Sequence, residues 1–260
     1  MKTARFAATV ASALLAFSLS AQTTQTEDFK KAVDSLNETQ KAILKELQDI
    51  KKLLAQQGQG RPAADALPSA PVDIGKEPFK GAQAARVAII EFSDYQCPFC
   101  GKYDKETFPQ LLKDYVDTGK VKYVFRDMPL DFHKNAFKAA EASHCAGEQG
   151  RFWEMHDRLF ANQTNLAPED LAKHAEALQL NAALFQQCLD SGRFASDIKK
   201  DIAVAGDVGV TGTPSFLIGV VQPDSKVKVV KKLVGAKSYA DFKTAIDSVL
   251  TPAGGGGGGQ

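Results

Sequence analysis

The sequence predicts an α/β fold that contains an inserted helical subdomain and is preceded by an N-terminal coiled-coil helix. Three observations lead to this prediction. Short apolar, strand-like runs alternate with helical stretches over residues 72–250. Inside that region, residues 131–191 have helical periodicity without a strand-like run. A heptad pattern of apolar residues occupies the range 22–57, ahead of both.

The composition is that of a folded protein and gives little attraction for polyanions. The 260 residues are 44% hydrophobic and 24% charged, which is enough apolar material for one sizeable core. The 32 basic and 31 acidic residues leave a formal net charge of +1. So small a charge provides no field for binding phosphate backbones, and we do not expect nucleic acid as a partner.

The first residues have the pattern of a secretory signal peptide, which we assign to residues 1–21. Lys2 and Arg5 precede an apolar run from Phe6 to Leu19, and the run ends among small residues. A membrane anchor is the less favoured interpretation, because the run is too short to cross a bilayer comfortably. We therefore expect a soluble mature protein that is periplasmic or otherwise exported.

Residues 22–57 form a predicted oligomerisation helix. Its apolar residues recur at alternating spacings of four and three, with Gln40 at the one polar step, and are Phe29, Val33, Leu36, Ile43, Leu47, Ile50 and Leu54. Isoleucine at the d positions and leucine at the a positions favour three or more strands over a parallel dimer. We predict a homo-oligomer, a trimer before a dimer. The alternative is an amphipathic helix that lies on its own domain.

Two segments of low complexity flank the α/β domain. Residues 58–71 are rich in Gly, Ala and Pro, a composition that buries too little apolar surface to order itself, and we interpret them as a linker. Residues 251–260 form a Gly-rich tail. The α/β domain between them is expected to span residues 72–250.

The first half of this domain predicts a parallel pair of strands. A strand from Arg86 to Ser93 is followed by a helix from Pro98 to Asp117 and by a second strand from Val121 to Arg126. Such a strand, helix, strand order implies a right-handed crossover. Pro109 is expected to kink the helix, because proline removes a backbone hydrogen bond.

After the helical insertion the pattern returns to alternating elements. We predict a helix near Arg193 to Asp207, and strands from Ser215 to Val221 and from Val227 to Val234. A last helix ends at Leu250 and has Ser238 as its N-cap.

The cysteines form two unlike pairs, of which Cys97 and Cys100 are the close one. This pair lies where a strand passes into a helix, so unpaired N–H groups and the helix dipole favour a thiolate at Cys97. Thiolates attack disulfides, and Cys100 is placed one turn later to resolve the mixed disulfide. A zinc site and a purely structural disulfide are the alternatives. The absence of a second CxxC argues against zinc, and the strand-to-helix position argues against a structural bond.

Two segments resemble the DsbA-like branch of the thioredoxin superfamily. They are EFSDYQCPFC, from Glu91 to Cys100, and VTGTPSF, from Val210 to Phe216. The resemblance covers about residues 72–250 and implies a thioredoxin fold with an inserted helical subdomain. It also implies that Thr213 and Pro214 form a cis-proline loop beside the cysteines, where the backbone binds an extended substrate.

Three further residues take roles from this resemblance. Glu91 matches a buried acid that exchanges protons with Cys100, and the alternative is a carboxylate that reaches solvent. Pro98 and Phe99 lie between the cysteines and are assigned to the substrate-binding surface. Phe99 stands where the most oxidising members have histidine, and it offers the thiolate neither charge nor a donor. We therefore predict a less oxidising couple than theirs.

The second pair, Cys145 and Cys188, lies on predicted helices of the insertion. Relatives carry a pair in this region, and we predict a structural disulfide that contributes about 2–4 kcal/mol. Two buried free thiols are the alternative. We expect no cofactor, and no metal because the histidines lack ligand-like spacing, at His133, His144, His156 and His174.

Oxidation, isomerisation and reduction of disulfides share this chemistry. Several exchange domains joined by a coiled coil keep a misfolded chain at high effective concentration, which favours isomerisation. We therefore predict a disulfide isomerase, with an oxidase of DsbA type as the next choice. The expected partners are unfolded or wrongly disulfide-bonded exported proteins and a membrane redox partner. A holdase chaperone without turnover is the alternative from a different class.

Overall fold

The structure is a computed structural model that describes residues 30–52 and 66–251. The predicted signal peptide, the first part of the predicted linker and nearly all of the Gly-rich tail lie outside these ranges. The chain divides into two compact units, Met1–Gly60 and Arg61–Gln260. No helix in the described ranges combines the length and the apolar character that crossing a membrane requires.

The described part of the first unit is one helix, α1, over residues 30–52. Every residue of α1 is exposed. Its exposed large apolar side chains include five of the heptad pattern, with exposed fractions between 38% and 67%, and are Val33, Leu36, Ile43, Leu44, Leu47 and Ile50. The predicted helix is thus present over the described range. The number of chains that meet at this stripe stays a prediction, and Phe29 and Leu54 lie outside the described residues.

The described residues of the second unit include a six-stranded sheet with the order β1-β6-β5-β3-β4-β2. The strands are β1 Val72–Asp73, β2 Phe79–Lys80, β3 Val87–Ser93, β4 Val121–Asp127, β5 Ser215–Val221 and β6 Lys226–Val234. Strands β3 and β4 pair in parallel, as predicted, and the other neighbours pair antiparallel. The strands β1 and β2 were not predicted, because two residues are too few to show a period.

Both faces of the sheet are covered, which explains why β3 is buried along its whole length and is apolar except at Glu91 and Ser93. Val87 and Ile89 belong to a core with the helices that follow β3 and with the C-terminal helix. Ala88, Ile90 and Phe92 belong to a core on the opposite face. Side chains of a strand alternate between faces, so a doubly covered strand lacks the polar alternation of a half-exposed one.

The prediction of one continuous helix from Pro98 to Asp117 is wrong. The chain here forms α2 Pro98–Glu106, α3 Phe108–Leu111 and a π-helical turn Leu112–Val116. The interruption falls at Thr107, two residues before Pro109. A proline inside a helix lacks an N–H donor and clashes with the carbonyl four residues earlier. The expected kink at Pro109 therefore takes the form of a break and a wider turn.

Helices alone form the insertion, as predicted. They are α4 Ala136–Gly147, α5 Phe152–Ala161, α6 Pro168–Ala177 and α7 Ala182–Ser191, and are followed by α8 Ala195–Asp207 and, after the last strands, by α9 Tyr239–Leu250. Ser238 caps α9 in a reciprocal capping box with Asp241. The core of the insertion also contains Cys97 and Cys100, so the close cysteine pair lies where the insertion meets the sheet domain.

Candidate active site

Cys97 is the N-cap of α2, and Cys100 lies in the first turn of that helix. Cys97 has extended backbone angles, φ −73° and ψ 121°, and no side-chain oxygen caps the helix. Pro98 occupies the first helical position, where a missing N–H removes no helical hydrogen bond. Both cysteines are free and buried, with exposed fractions of 3% and 0%.

The two thiols differ strongly in acidity. The pKa of Cys97 is lowered to about 5, chiefly by the hydrogen bond from the Cys100 thiol, while burial opposes this change and Thr213 and the backbone N–H groups of Phe99 and Cys100 reinforce it. Burial raises the pKa of Cys100 well above its ordinary value. At neutral pH Cys97 is therefore the thiolate and Cys100 keeps its proton. This is the division of roles required of an attacking and a resolving thiol.

The second motif meets the cysteines through a cis-proline loop. The peptide bond between Thr213 and Pro214 is cis. The Cys97 Sγ lies 3.5 Å from the Thr213 carbonyl oxygen, although the two residues are 116 positions apart in the chain. A backbone hydrogen bond also fixes the loop, because the Gly235 N–H donates to the Pro214 carbonyl at 2.8 Å. Pro98 and Phe99, which lie between the two cysteines, are both exposed, Phe99 by 62% of its surface.

Glu91 is a buried acid, as the resemblance implied, and the alternative of a solvent-reaching carboxylate is wrong. It lies in β3, is 2% exposed, and accepts a hydrogen bond from the Tyr123 hydroxyl. Burial raises the pKa of Glu91 to about 7. Its charge is among the causes that raise the pKa of Cys100. A carboxyl group that titrates near neutral pH beside Cys100 is suited to take up and return the proton of that thiol.

Asp94 was missed in the sequence and holds the turn that leads to Cys97. Its carboxylate Oδ1 accepts hydrogen bonds from the backbone N–H groups of Gln96, at 2.7 Å, and Cys97, at 3.2 Å. The Oδ2 atom accepts from the Leu130 N–H and contacts His133 Nδ1, both at 2.8 Å. The local signal was available, since an aspartate commonly bonds the backbone two residues ahead of it in a turn.

Gln163 was also missed, and no sequence signal could have identified it. It follows α5 and donates from Nε2 to the carbonyl oxygens of Tyr95, at 2.9 Å, and Cys97, at 2.8 Å. Gly101 makes room for it, since a Cβ atom there would lie 2.0 Å from the Gln163 Oε1. The active-site turn is thus bonded to the helical insertion on this side as well.

One of the four histidines, His156, lies in a cluster of side chains that could bind a metal ion. His156 is 1% exposed, and its Nδ1 lies 2.9 Å from a carboxylate oxygen of Asp157. With Asp104 of α2 these residues form a group whose potential ligand atoms lie within 4.8 Å of one another. Burial raises the pKa of Asp104 to about 6. The chain spacing of these three residues did not indicate that they meet.

Cys145 and Cys188 form a disulfide that joins α4 to α7. Both residues are 1% exposed, and their Cα atoms are 5.8 Å apart. The bond links residues 43 positions apart and lies inside the helical insertion. It is a separate pair from the free cysteines of α2, and its burial keeps it from exchanging with substrates in the folded protein.

The fold and this site together define a class of protein, a thioredoxin-fold thiol–disulfide oxidoreductase with a helical insertion. A family model described as thioredoxin matches residues 73–248. The chain belongs to the thioredoxin family, in its DsbA-like branch.

Named relatives agree with this placement. Disulfide bond formation protein D of Bacillus subtilis is 30% identical over 203 residues, which cover 74% of this chain and 83% of the relative. The crystal structure of Wolbachia pipientis alpha-DsbA1 has a TM-score of 0.60 and 26% identity, and the match covers 69% of this chain and 93% of that one.

A third match concerns only part of a larger protein. The Na(+)/H(+) antiporter NhaA 3 of Salinispora tropica is 41% identical over 149 residues, which cover 57% of this chain. The matched region is 22% of the antiporter, so this chain spans about a fifth of that relative's length.

Proposed function

We propose that this protein is an exported disulfide isomerase whose exchange domains are held together by α1. The observation that carries the proposal is an exposed apolar stripe on α1, in the same chain as an exchange centre with an acidic Cys97. Thiol–disulfide exchange follows from the family, and isomerisation is our inference from the helix.

Isomerisation at this site requires no net oxidation or reduction. The Cys97 thiolate attacks one sulfur of a wrong disulfide, a bond forms between Cys97 and that sulfur, and the other substrate sulfur leaves as a thiolate. A different substrate thiolate then attacks the mixed disulfide and releases Cys97 as a thiolate again. If the substrate is held too long, Cys100 passes its proton to Glu91, attacks Cys97, and frees the substrate in reduced form.

The substrate segment is proposed to lie between Cys97 and the cis-proline loop. The Thr213 carbonyl faces the Cys97 sulfur, so a substrate chain that reaches Cys97 passes the loop backbone. Extended chains bind to such backbone groups with little dependence on side-chain identity. The exposed ring of Phe99 adds an apolar contact beside the thiolate. These features suit an enzyme that acts on many unfolded proteins.

Charge pattern supports a parallel association of α1 with further copies of itself. In the heptad register, Glu46 occupies a g position and Lys51 the following e position. In a parallel coiled coil these two positions of neighbouring chains face each other, so their opposite charges attract. Ile43 and Ile50 at d positions favour a trimer, and Gln40 at an a position fixes the register.

Export is supported by two features of the chain. The first 21 residues match a signal peptide pattern, and the buried Cys145–Cys188 bond is of a kind that persists in oxidising compartments. The proposed setting is the periplasm or an equivalent exported location, where a membrane redox partner resets the cysteines and unfolded secreted proteins are the substrates.

Refolding of scrambled ribonuclease tests the isomerase proposal. The full chain is compared with a chain that lacks all residues before Val72 and with the full-length double variant Ile43→Lys, Ile50→Lys. Light scattering should show that both changes produce monomers, and the rate of reactivation should fall in both. Lys45→Glu, at the outward f position, is the matched control. Equal reactivation by monomers and oligomers would eliminate the proposal.

A disulfide oxidase of DsbA type is the second candidate, and one observation favours it. A Cys97 pKa of about 5 stabilises the reduced, thiolate form of the enzyme, which makes its disulfide a stronger oxidant. Oxidation of a reduced peptide in the presence of glutathione separates the two candidates.

For a holdase chaperone, Cys97→Ser would leave the suppression of aggregation intact, whereas an exchange enzyme loses its activity.

A further inference from the structure

Asp94 concentrates four hydrogen-bonding contacts on one carboxylate beside the attacking thiol. Its side chain has an exposed fraction of 0%. A buried carboxylate is costly unless its oxygens are bonded, and here each oxygen has two partners. None of these partners belongs to a regular helix or strand. The carboxylate therefore ties two loops together at one point.

The Oδ1 contacts control how the chain enters α2. They hold the N–H groups of Gln96 and Cys97, and the Cys97 N–H is also 3.1 Å from the Asp94 carbonyl oxygen. In this turn Cys97 takes the extended conformation of an N-cap. This places the sulfur at the N-terminus of α2, and the backbone N–H groups of Phe99 and Cys100 are among the causes that lower the pKa of Cys97.

The Oδ2 contacts fasten the same turn to the loop between β4 and α4. Leu130 donates its N–H, and His133 approaches through Nδ1. A further bond from the Asn135 N–H to Gln96 Oε1, at 2.9 Å, closes this contact beside α4. The turn before Cys97 therefore cannot shift without breaking bonds to the start of the helical insertion.

We propose that Asp94 is a positioning residue of the exchange centre, which keeps Cys97 reactive by holding its backbone at the N-terminus of α2. The proposal rests on thiol–disulfide exchange at Cys97 and is independent of whether the enzyme isomerises or oxidises. Asp94 acts through the placement of the helix N–H groups around the sulfur, and it does not itself contact the reacting atoms.

If Asp94 acted only through its charge, its effect on the pKa of Cys97 would be the opposite of the one proposed, so an experiment can separate the two roles. A carboxylate near a thiolate repels it and raises the pKa of the thiol. If Asp94 acted only through its charge, neutralising it would make Cys97 more acidic, and moving the charge slightly would change little. If Asp94 acts by position, the reverse holds: moving the carboxylate weakens the thiolate, and a neutral side chain of the same shape preserves it.

Two variants of opposite design separate these cases. Asp94→Glu keeps the charge and displaces the carboxylate by one methylene from the N–H groups of Gln96 and Cys97. Asp94→Asn removes the charge and keeps an oxygen where Oδ1 lies, while its amide nitrogen takes the place of Oδ2 and loses the bond from the Leu130 N–H. The rate of alkylation of Cys97 by iodoacetamide is measured from pH 3 to pH 8 on the full reduced chain, with mass spectrometry to identify the modified thiol.

We expect the midpoint of the Asp94→Glu profile to rise by about one pH unit, which is about a tenfold loss of rate at pH 4. Asp94→Asn is expected to stay within about threefold of the parent at every pH, because the Oδ1 contacts remain. An unchanged midpoint in Asp94→Glu would overturn the proposal. So would an equal rise in Asp94→Asn, since the effect would then not depend on the Oδ1 bonds to Gln96 and Cys97, which this variant keeps.

A control distinguishes positioning from general loss of stability. Asp201 is also a buried aspartate, 3% exposed, and it accepts a backbone N–H, that of Asp127, at 3.0 Å, together with a hydrogen bond from Arg126. Asp201→Asn should lower the melting temperature and leave the alkylation profile in place. If it shifts the profile as far as Asp94→Glu does, the effect is one of stability, and Asp94 is not a positioning residue. The alkylation assay needs no protein substrate, so it stands even if the isomerase proposal fails.

Discussion

Replacing Glu91 by glutamine should stabilise the reduced protein at pH 8 and slow its catalysis. Glu91 is buried, and its pKa rises from the ordinary 4.5 to about 7 because the charged form is poorly solvated. The folded state therefore binds this proton more tightly than the unfolded chain does. With respect to this group, stability is fully present below pH 4.5 and is lost as the pH rises to about 7.

The magnitude follows from the size of this pKa difference. At 1.36 kcal/mol per pKa unit, a shift from 4.5 to about 7 costs the native state about 3 kcal/mol once the carboxyl group is ionised. Glutamine has nearly the same shape, and its carbonyl oxygen can still accept the hydrogen bond from Tyr123. Glu91→Gln should therefore gain up to about 3 kcal/mol over the parent at pH 8 and almost nothing at pH 4.

Urea unfolding of the reduced protein at pH 4, 6 and 8 measures this gain, and the rate of mixed-disulfide resolution measures the catalytic cost. Glu141→Gln is the matched control, since Glu141 is also 2% exposed but is ion-paired with Lys138 at 2.6 Å. The control should gain nothing at pH 8, because the ionised Glu141 is already stabilised by its ion pair with Lys138. A Glu91→Gln protein whose advantage does not grow between pH 4 and pH 8 would refute the reasoning.

Three further predictions concern other parts of the molecule. Replacing Cys145 and Cys188 together by serine should cost about 2–4 kcal/mol in urea unfolding and leave the alkylation rate of the attacking thiol unchanged. Gly101→Ala should cost about 1–3 kcal/mol, because the new methyl group displaces the Gln163 amide from the active-site turn, and thermal unfolding measures the loss. Phe99→His should make the couple more oxidising when it is equilibrated with glutathione, and an unchanged potential would contradict the role given to this position.

The helical insertion does more than enlarge the fold. Asp94 on one side and Gln163 on the other join the active-site turn to loops that flank the insertion helices. The Cys145–Cys188 bond stiffens the same subdomain by joining α4 to α7. A subdomain that is rigid and bonded to the turn holds the attacking sulfur in one geometry, which is what repeated exchange with different substrates requires.

Local signals in the sequence predicted a large part of the fold. The apolar strand β3, its parallel partner β4 and the N-cap at Ser238 were predicted because each depends on neighbours within a few residues or on a short connection. The expectation of a reactive Cys97 had the same local origin, since a cysteine at the start of a helix meets unpaired N–H groups wherever that helix packs. The disturbance of the helix at Pro109 was also predicted from a local signal, although the sequence pattern did not show whether the helix would bend or break.

The sequence by itself determined the kind of fold, the position of the exchange centre and the heptad stripe of α1, because these depend on residue order and short spacing. Only the tertiary structure decided which distant groups complete the site. Gln163 reaches the active-site turn across 66 residues, and the partners of Asp94 extend to His133, 39 residues further along the chain. Contacts of this range depend on how helices and loops pack in three dimensions, and no local pattern of residues encodes them.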